Sequence, residues 1–312
     1  MSTLQNNIIV SVAVVTYNHE KYIAQALESI LIQQTNFKFE IIIGDDCSKD
    51  KTTEICQEYA RKYPDKIRHI LQPTNVGLRK NNIITWKACR GKYVAMCEGD
   101  DYWTDENKLQ KQVDLLESNP EYGTCFHQTV VEYNDQDGCI KKSLFAPDLN
   151  KKEYTFDEIV SRWISHTTSL LFVNIFIEKP EHPIFKSEYY YSDRPLEAFL
   201  AKKSNFLYLN EPMSCFRRHN TNMSKIGNLA KMYSNGAIAF RKMMILFPEN
   251  KIILSEQVIR WYLLAAEDLF KHKKLISYFC LIAKCFISIR SVLGLKNTLK
   301  CSARIIAGKI IY

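Results

Sequence analysis

The sequence is poor in glycine and proline, and it lacks the short motifs of several large enzyme classes. Ten glycines and nine prolines among 312 residues exclude a collagen-like or linker-rich chain. No GxGxxG follows a predicted strand and no GxxxxGK[ST] is present, so the sequence supports neither a Rossmann dinucleotide site nor a P-loop. Without GxSxG or HExxH, serine hydrolases and zincins lack their essential residues.

The cysteines and the N-terminus also exclude some kinds of protein. None of the ten cysteines forms a CxxC pair, so we do not expect a structural zinc site. The cysteines lie scattered in apolar segments, as small buried side chains do, and this favours a reducing compartment. Because Met1–Asn7 has no basic n-region, we expect no Sec-type signal peptide and a cytoplasmic protein.

The charge is distributed unevenly along the chain. A hydrophobic content of 46% excludes a disordered chain. The formal net charge is +8, but residues 1–200 carry −6 and residues 201–312 carry +14. An anionic partner or surface is therefore expected to meet the C-terminal third.

The last 42 residues predict contact with a membrane. Residues 271–312 contain lysines and arginines but no Asp or Glu, and they surround the apolar run Leu275–Ile289. This run is shorter than the roughly 20 residues that span a bilayer. We expect a basic helix in the interface of an anionic membrane. The alternative is a helix that packs on the rest of the protein with its basic side in water.

Strands and helices alternate along the first 120 residues. Buried strands are predicted at residues 8–15, 39–44, 67–71 and 92–97, and helices at about 22–31, 50–60, 83–88 and 105–117. This order predicts an α/β fold, a Rossmann-type and mostly parallel sheet with helices on both faces. The alternation loosens after residue 120, where a strand is predicted at 167–173, and from about residue 228 the pattern is helical to the end.

Each predicted strand ends in a polar cluster. The clusters are Thr16–Asn18, Asp45-Asp46, Asn75–Gly77 and Glu98–Asp101. Ligands of such sheets bind beyond the carboxyl ends of the strands. The sequence therefore predicts one binding site in which these clusters converge.

The cluster after the fourth strand predicts a metal ion. Glu98, Asp100 and Asp101 place three carboxylates within four residues, and like charges this close need a compensating cation or donor. Mg²⁺ or Mn²⁺, held by one or two carboxylates and by substrate phosphates, would provide it. A solvated acidic loop, with Asp105 capping the next helix, is the alternative.

Four segments together resemble a known family. VSVAVVTYNHEKYI, EIIIGDDCSKDKT, NVG and EGDDYW, in this order and spacing, resemble the family 2 glycosyltransferases, which have a GT-A fold. The resemblance covers about residues 9–225. It implies a catalytic domain at 1–225, with a nucleotide-binding half at 1–120 and an acceptor half at 121–225. Residues 226–312 would form a separate helical and basic region.

The resemblance assigns roles to the strand-end residues. It places the nucleotide sugar against Thr16, Tyr17, Asn18, Asp45, Asn75, Gly77, Lys80 and Asp100. Asp45 would accept a hydrogen bond from the base, although a helix cap is an equal alternative for this residue. Lys80 would meet the diphosphate. Asp101 would be the direct ligand of Mn²⁺ or Mg²⁺, whereas Glu98 stands where many members have Asp.

Two further segments resemble family motifs. Asp193, within SDRPL, matches the position of the catalytic base, although it also suits a helix cap. His219, within RRH and followed by Met223-Ser224, matches a stretch near the active site. It would ligate the metal or touch the diphosphate, or it would be a surface histidine. His166 would contact the acceptor, with a buried, hydrogen-bonded histidine as the alternative.

The implied activity is the inverting transfer of a sugar from a nucleotide diphosphate, most often UDP. The acceptor would be a glycan or a lipid-linked molecule in surface polysaccharide synthesis, at the inner face of the plasma membrane. A sugar nucleotidyltransferase is one rival, but the segment after the first strand lacks the expected glycine-rich basic loop. A nucleic-acid-binding protein is another, but aromatic and basic residues do not interleave on a strand. We therefore expect no nucleic-acid partner.

Overall fold

A computed structural model of the chain describes residues 8–134, 138–178, 193–219 and 229–271. The chain divides into two compact units. Of the described residues, 8–134, 138–156, 164–178 and 199–219 belong to the first unit, and 157–163, 193–198 and 229–271 belong to the second. The domain boundary after residue 225 stays a prediction.

The described strands are β1 (Ile8–Thr16), β2 (Lys38–Asp45), β3 (Ile67–Leu71), β4 (Tyr93–Glu98), β5 (Tyr102–Trp103), β6 (Thr124–Asn134), β7 (Ile140–Leu144), β8 (Glu153–Tyr154), β9 (Leu171–Val173) and β10 (Phe206–Arg218). The helices are α1 (Ile23–Leu31), α2 (Thr52–Lys62), α3 (Leu78–Lys87), α4 (Lys108–Glu117), α5 (Phe156–Ser161), α6 (Ile175–Glu178), α7 (Asp193–Ala201), α8 (Leu229–Leu246) and α9 (Lys251–Lys271). Short 3₁₀ turns lie at Thr167–Ser169 and Pro248–Asn250.

The strands of the first unit form one mixed sheet in the order β3-β2-β1-β4-β9-β6-β10-β5, with β7 beside β6 and β8 beside β10. The first four strands pair in parallel, and β10 runs parallel to β6. Strand β9 is antiparallel to both of its neighbours. The prediction of an α/β fold with a mostly parallel sheet, flanking helices and a helical C-terminal region is confirmed.

The core explains why β1 reads as a continuous apolar run. Residues 10–16 of this strand are all buried, because helices cover both faces of a parallel sheet. In α1, Ile23, Leu27 and Ile30 are fully buried at helical spacing and join the same core. Burying each of these side chains contributes about 1.5–3 kcal/mol. This packing of helices on the sheet fixes the positions of the strand ends.

Two elements differ from the sequence-based expectation. The predicted strand at 167–173 starts later, because Thr167–Ser169 forms a 3₁₀ turn. The carbonyl of His166 accepts hydrogen bonds from the backbone N–H of Ser169 at 2.8 Å and from its hydroxyl at 2.7 Å. These bonds leave three residues for β9. The two-residue strand β5 was not predicted, since so short a segment has no detectable periodicity.

The second unit contains a helical pair. The backbone N–H of Ala230, at the start of α8, donates to Asp268 Oδ2 near the end of α9 at 3.1 Å, so the two helices run antiparallel. The ring centroids of Phe240 and Trp261 lie 5.9 Å apart between them. None of the helices in the described ranges is both long and apolar enough to cross a membrane. The membrane-interface helix predicted within 271–312 lies almost wholly outside the described residues.

Candidate active site

The carboxyl ends of three parallel strands bring the predicted polar clusters to one edge of the sheet. Thr16, at the end of β1, pairs in register with Asp45 at the end of β2. Glu98 ends β4, the other neighbour of β1, and Asp100 and Asp101 follow it. The side chains of the two aspartates are almost completely buried. The convergence expected from the sequence is therefore present in the first unit.

Asp100 lies between two imidazoles. Its Oδ2 is 3.0 Å from Nε2 of His219 and 3.7 Å from Nε2 of His19. Burial raises the pKa of Asp100, but the hydrogen bond to His219 and the charge interaction with His19 outweigh burial and hold this pKa below its usual range. His219 contacts Asp100 here, and its predicted role as a metal ligand stays a prediction.

Asp101 has the opposite electrostatic character. Its Oδ1 accepts a hydrogen bond from the backbone N–H of Arg217 at 3.0 Å, but its buried Oδ2 has no hydrogen-bond partner in the part of the chain that the structure describes. Burial, together with the charges of Asp100 and Glu98, raises the pKa of Asp101 well above its usual range. A cation near Oδ2 would relieve this unfavourable burial.

Arg217 holds the turn that carries the two aspartates. Its Nη1 donates to the carbonyl oxygen of Asp100 at 2.9 Å, and Nη2 donates to Oε1 of Gln25. The guanidinium lies 4.2 Å from the ring centroid of Tyr102, where the ring face attracts a cation. The sequence placed Arg217 in a family-like segment but gave it no role, because these partners lie more than 100 residues away.

Asp45 is held within the loop that follows β2. Its Oδ1 accepts from the backbone N–H and hydroxyl of Ser48 at 3.0 and 2.6 Å, and its Oδ2 accepts from the hydroxyl of Thr53 at 2.5 Å. Burial raises the pKa of Asp45, but His69 and these two hydroxyl groups lower it to below its usual range. These contacts tie Asp45 to the loop before α2 and to one side chain of that helix, but they do not cap it, since its N-cap is Lys51. The predicted contact with a base stays a prediction.

Asp46 anchors the loop that contains Asn75 and Gly77. Its two carboxylate oxygens accept from the backbone N–H groups of Val76 and Gly77 at 2.7 and 2.9 Å. The side-chain amide of Asn75 donates to the Asp46 carbonyl at 3.1 Å. Gly77 has a φ of +86°, which favours glycine. Asp46 had no assigned role, and a paired acidic sequence does not reveal which member binds this loop.

The remaining nucleotide-site candidates lie on exposed parts of the same edge. Tyr17 is 37% exposed, and Asn18 adopts a φ of 57°. The side-chain oxygen of Asn18 accepts from the backbone N–H of Lys49 at 2.8 Å, which joins the loops after β1 and β2. Lys80 is exposed in the first turn of α3. Their contacts with a nucleotide sugar stay predictions.

The side chain of His166 is buried next to Asp101. Its ring stacks on Phe216 with centroids 4.2 Å apart, and its Nδ1 is 3.7 Å from Asp101 Oδ2. Burial lowers the pKa of His166 to about 3, so the ring is neutral. The neighbouring Thr167 hydroxyl donates to Glu98 at 3.1 Å. This geometry matches the buried alternative for His166, and its contact with an acceptor stays a prediction.

Asp193 belongs to the second unit. It is the first residue of α7, a position that also fits the capping alternative. Burial raises the pKa of Asp193 above its usual range, against the backbone N–H of Arg194 and the charge of its guanidinium, which lower it. A carboxylate with a raised pKa is a stronger proton acceptor. The adjacent Ser192 and the Met223-Ser224 pair lie outside the described residues.

The described residues do not contain a complete metal-binding shell. No three His, Cys, Asp or Glu side chains in these ranges are arranged to hold a metal ion by themselves. A site completed by a substrate needs fewer protein ligands, because Mg²⁺ is commonly held by one or two carboxylates together with phosphates. The buried, unpartnered oxygen of Asp101 fits that kind of site.

The model of one protein family matches more than half of the chain. The family model described as glycosyl transferase family 2 matches residues 11–178. This span is more than half of the chain and includes the carboxyl ends of β1, β2 and β4.

Curated relatives match parts of the chain. It is 38% identical over 209 residues to the uncharacterized protein Rv1520 of Mycobacterium tuberculosis, a match that covers 67% of this chain and 58% of that relative. The chain thus spans less than two thirds of that relative's length. It is 36% identical over 97 residues to the poly(ribitol-phosphate) beta-N-acetylglucosaminyltransferase TarS of Staphylococcus aureus, covering 31% of this chain and 17% of TarS.

Solved structures share the fold over nearly the whole chain. The crystal structure of S. aureus TarS in complex with UDP-GlcNAc aligns with a TM-score of 0.66 and 15% identity, covering 96% of this chain and 92% of that one. The mannosyltransferase PcManGT from Pyrobaculum calidifontis, in complex with GDP-Man and Mn²⁺, aligns with a TM-score of 0.57 and 15% identity, covering 98% and 81%. The expected GT-A-like fold is therefore confirmed.

Proposed function

This chain belongs to glycosyl transferase family 2, and on that basis we propose that it transfers a sugar from a UDP-linked donor, with inversion at the anomeric carbon. The acceptor is a hydroxyl group of a glycan or of a lipid-linked molecule in surface polysaccharide synthesis. The observation that carries the proposal is the buried Oδ2 of Asp101, which has no hydrogen-bond partner among the described residues. Leaving such an oxygen unsatisfied is costly, and a cation with a diphosphate would satisfy it.

The structural neighbours support the class of donor. The TarS structure holds UDP-GlcNAc, and the PcManGT structure holds GDP-Man and Mn²⁺. Both donors are sugars linked to a nucleoside diphosphate. The TarS name also specifies a polymeric acceptor, poly(ribitol-phosphate). We extend the class of donor to this chain and choose UDP from the resemblance of its sequence motifs.

The residues present fit a divalent cation. Asp101 would hold Mn²⁺ or Mg²⁺ through Oδ2, and His219 is the second candidate ligand. When bound, the ion would supply Lewis-acid stabilisation of the charge on the leaving diphosphate. Arg217 fixes the turn through the backbone of Asp100 and the carboxylate of Asp101, so these side chains need little reorganisation before they bind.

In the proposed reaction Asp193 is the general base. Its carboxylate removes the proton of the acceptor hydroxyl while that oxygen forms a bond to C1 of the sugar. The bond between C1 and the β-phosphate oxygen breaks on the opposite face, and its electron pair leaves with UDP. No covalent enzyme intermediate is needed. General-base catalysis of this kind contributes about 10²–10⁴-fold to the rate.

The activity is tested by analysing products. The purified chain would be incubated with a panel of UDP-, GDP- and dTDP-sugars and a membrane extract, and the products would be identified by mass spectrometry. We expect one UDP-sugar to be consumed, with UDP released and one sugar added to an acceptor in a Mn²⁺- or Mg²⁺-dependent reaction. Full activity in excess EDTA would refute the role of the metal, and transfer from a GDP-sugar alone would refute the choice of nucleotide.

The role of Asp193 is tested by Asp193→Asn, which keeps the size of the side chain but removes the proton acceptor. We expect kcat to fall roughly 10²-fold or more, with donor affinity little changed. Glu54→Gln is the matched control, because Glu54 is an exposed carboxylate in the first turn of α2. A normal kcat for Asp193→Asn would show that another group is the base.

We also propose that the chain binds the inner face of the plasma membrane peripherally, through the basic segment 271–312. Each basic group near an anionic leaflet contributes about 1 kcal/mol. Replacing Lys273 and Lys274 with Gln should therefore weaken sedimentation with anionic vesicles by about 30-fold. The same change at Lys202 and Lys203, which are exposed in the first unit, should have little effect. Equal, salt-independent binding of both variants would contradict the proposal.

A further inference from the structure

Two histidines from distant parts of the chain face the same carboxylate oxygen. His219 lies just after β10, and His19 lies in the loop between β1 and α1. Their Nε2 atoms are 3.0 and 3.7 Å from Asp100 Oδ2. His219 is thus at hydrogen-bond distance from the carboxylate oxygen, and His19 lies just beyond it. The sequence comparison assigned no role to His19.

His19 is held firmly in this position. Its backbone N–H donates to the hydroxyl of Thr52 at 2.7 Å, and its carbonyl accepts from the N–H groups of Tyr22 and Ile23, both at 2.9 Å. Its Nδ1 lies 3.2 Å from the Thr16 hydroxyl. These contacts fix both the backbone and the ring, so the orientation of Nε2 toward Asp100 does not depend on the carboxylate alone.

A glycine makes room for this arrangement. A Cβ atom on Gly99 would lie 2.6 Å from the hydroxyl oxygen of Thr16 and 2.9 Å from Nδ1 of His19. Real Cβ contacts are not this short, so a side chain at this position would push the Thr16–His19 pair away from the end of β4. Gly99 directly precedes Asp100, and its lack of a side chain lets the ring approach the carboxylate.

The second histidine is tied to the same loop. The rings of His219 and Tyr22 stack with their centroids 4.7 Å apart. Both imidazoles are thus connected to the segment between β1 and α1. Asp100 is consequently fixed from two sides, whereas the adjacent Asp101 keeps a buried oxygen without a hydrogen-bond partner in the described structure.

We propose that His19 is a positioning residue, which together with His219 clamps Asp100 so that Asp101 presents its free oxygen to the cation and diphosphate of the donor. This inference rests on the proposed function. His19 acts through Asp100 and does not itself hold the nucleoside. Replacing His19 should therefore weaken donor binding in the presence of the metal ion and leave donor binding without the metal ion unchanged.

The test compares binding of UDP and of GDP in Mn²⁺ and in EDTA by calorimetry, so it does not require an identified acceptor. In His19→Leu we expect the increase in affinity that Mn²⁺ provides to fall about tenfold or more, the scale of losing a partner of a metal ligand. The affinity in EDTA should change less than twofold. His19→Gln, whose amide can place an N–H next to Asp100, should keep most of the Mn²⁺ effect.

Two further variants distinguish the positioning of Asp100 by His19 from a general effect on the loop between β1 and α1. Glu20→Gln changes an exposed residue of the same loop and leaves the His19 ring and its backbone contacts in place, so it should behave like the wild type. Gly99→Ala should reproduce His19→Leu, because it displaces the ring. A wild-type Mn²⁺ effect in His19→Leu, or an equal loss in Glu20→Gln, would overturn the inference alone. A wild type that shows no Mn²⁺ effect, or that binds neither nucleotide, would overturn the proposed function together with this inference.

Discussion

The two ends of the sheet each bury a carboxylate, and they treat it in opposite ways. Near the amino ends of the strands, Glu40 in β2 accepts hydrogen bonds from the Ser11 hydroxyl at 2.6 Å and from the Arg90 backbone at 3.0 Å. The Arg90 guanidinium donates to its other oxygen at 2.5 and 3.0 Å. At the carboxyl ends, one oxygen of Asp101 has no hydrogen-bond partner among the described residues.

The difference appears in the electrostatics. Burial raises the pKa of Glu40, but Arg90 and Ser11 more than reverse this and hold the pKa below its usual range. Burial and two neighbouring carboxylates hold the pKa of Asp101 above its usual range. Removing one partner of a paired buried charge destabilises a fold, whereas a strongly perturbed pKa is typical of functional sites. Burial alone therefore does not distinguish a structural carboxylate from one in a functional site, whereas the hydrogen-bond partners of the carboxylate do.

The largest effect is expected from Asp101→Ala. Loss of the carboxylate should remove nearly all sugar transfer, about 10³-fold or more, because metal assistance is worth several kcal/mol. Thermal unfolding should show little change in stability, because the removal of an unfavourable buried charge offsets the lost hydrogen bond from the Arg217 backbone N–H. Product formation and Tm would be measured on the same preparation. Near-normal sugar transfer, or a large loss of stability, would show that Asp101 has a structural role like that of Glu40.

Glu40→Gln should give the reverse result. Truncating the charge weakens hydrogen bonds to a charged group, which are worth about 1.5–3 kcal/mol. Because the Arg90 side chain is 60% exposed, solvent screens part of this loss, and we expect the free energy of unfolding to fall by about 2 kcal/mol. Urea titration measures this value, and kcat per folded molecule should stay unchanged. A selective loss of kcat would contradict the structural role of Glu40.

The sequence was sufficient to predict the sheet and the location of the site, but not the different environments of the buried carboxylates. Alternating apolar runs placed the four parallel strands, and the acidic residues after β4 marked the site. The unequal environments of Asp100 and Asp101 depend on His219 and Arg217, which lie more than 110 residues later in the chain. Contacts over such distances leave no local pattern. The short β5 escaped prediction because two residues show no periodicity, and the 3₁₀ turn at Thr167–Ser169 because it begins a segment whose remainder is an apolar strand.

The smallest effect is a dependence of stability on pH that differs between the two ends. The folded-state pKa of Asp101 lies above its unfolded value of about 3.9. The favourable contribution of protonated Asp101 is therefore complete below pH 3.9 and is lost as the pH rises through the folded-state value. The contribution of Glu40 has the opposite sign, because its folded-state pKa lies below the unfolded value of about 4.3. It is present above that pH and is lost as the pH falls through the folded-state value.

Asp101→Asn and Glu40→Gln should therefore diverge from the wild type in opposite directions. As the pH rises from 4 toward 8, Asp101→Asn should gain stability relative to the wild type, with a slope of at most about 1.4 kcal/mol per pH unit for one proton. Over the lower part of that range, Glu40→Gln should instead fall further behind the wild type. Urea unfolding at four pH values measures both differences. Parallel stability curves for Asp101→Asn and the wild type would mean that Asp101 is ionised at no cost, and the contrast between the two ends of the sheet would then fail.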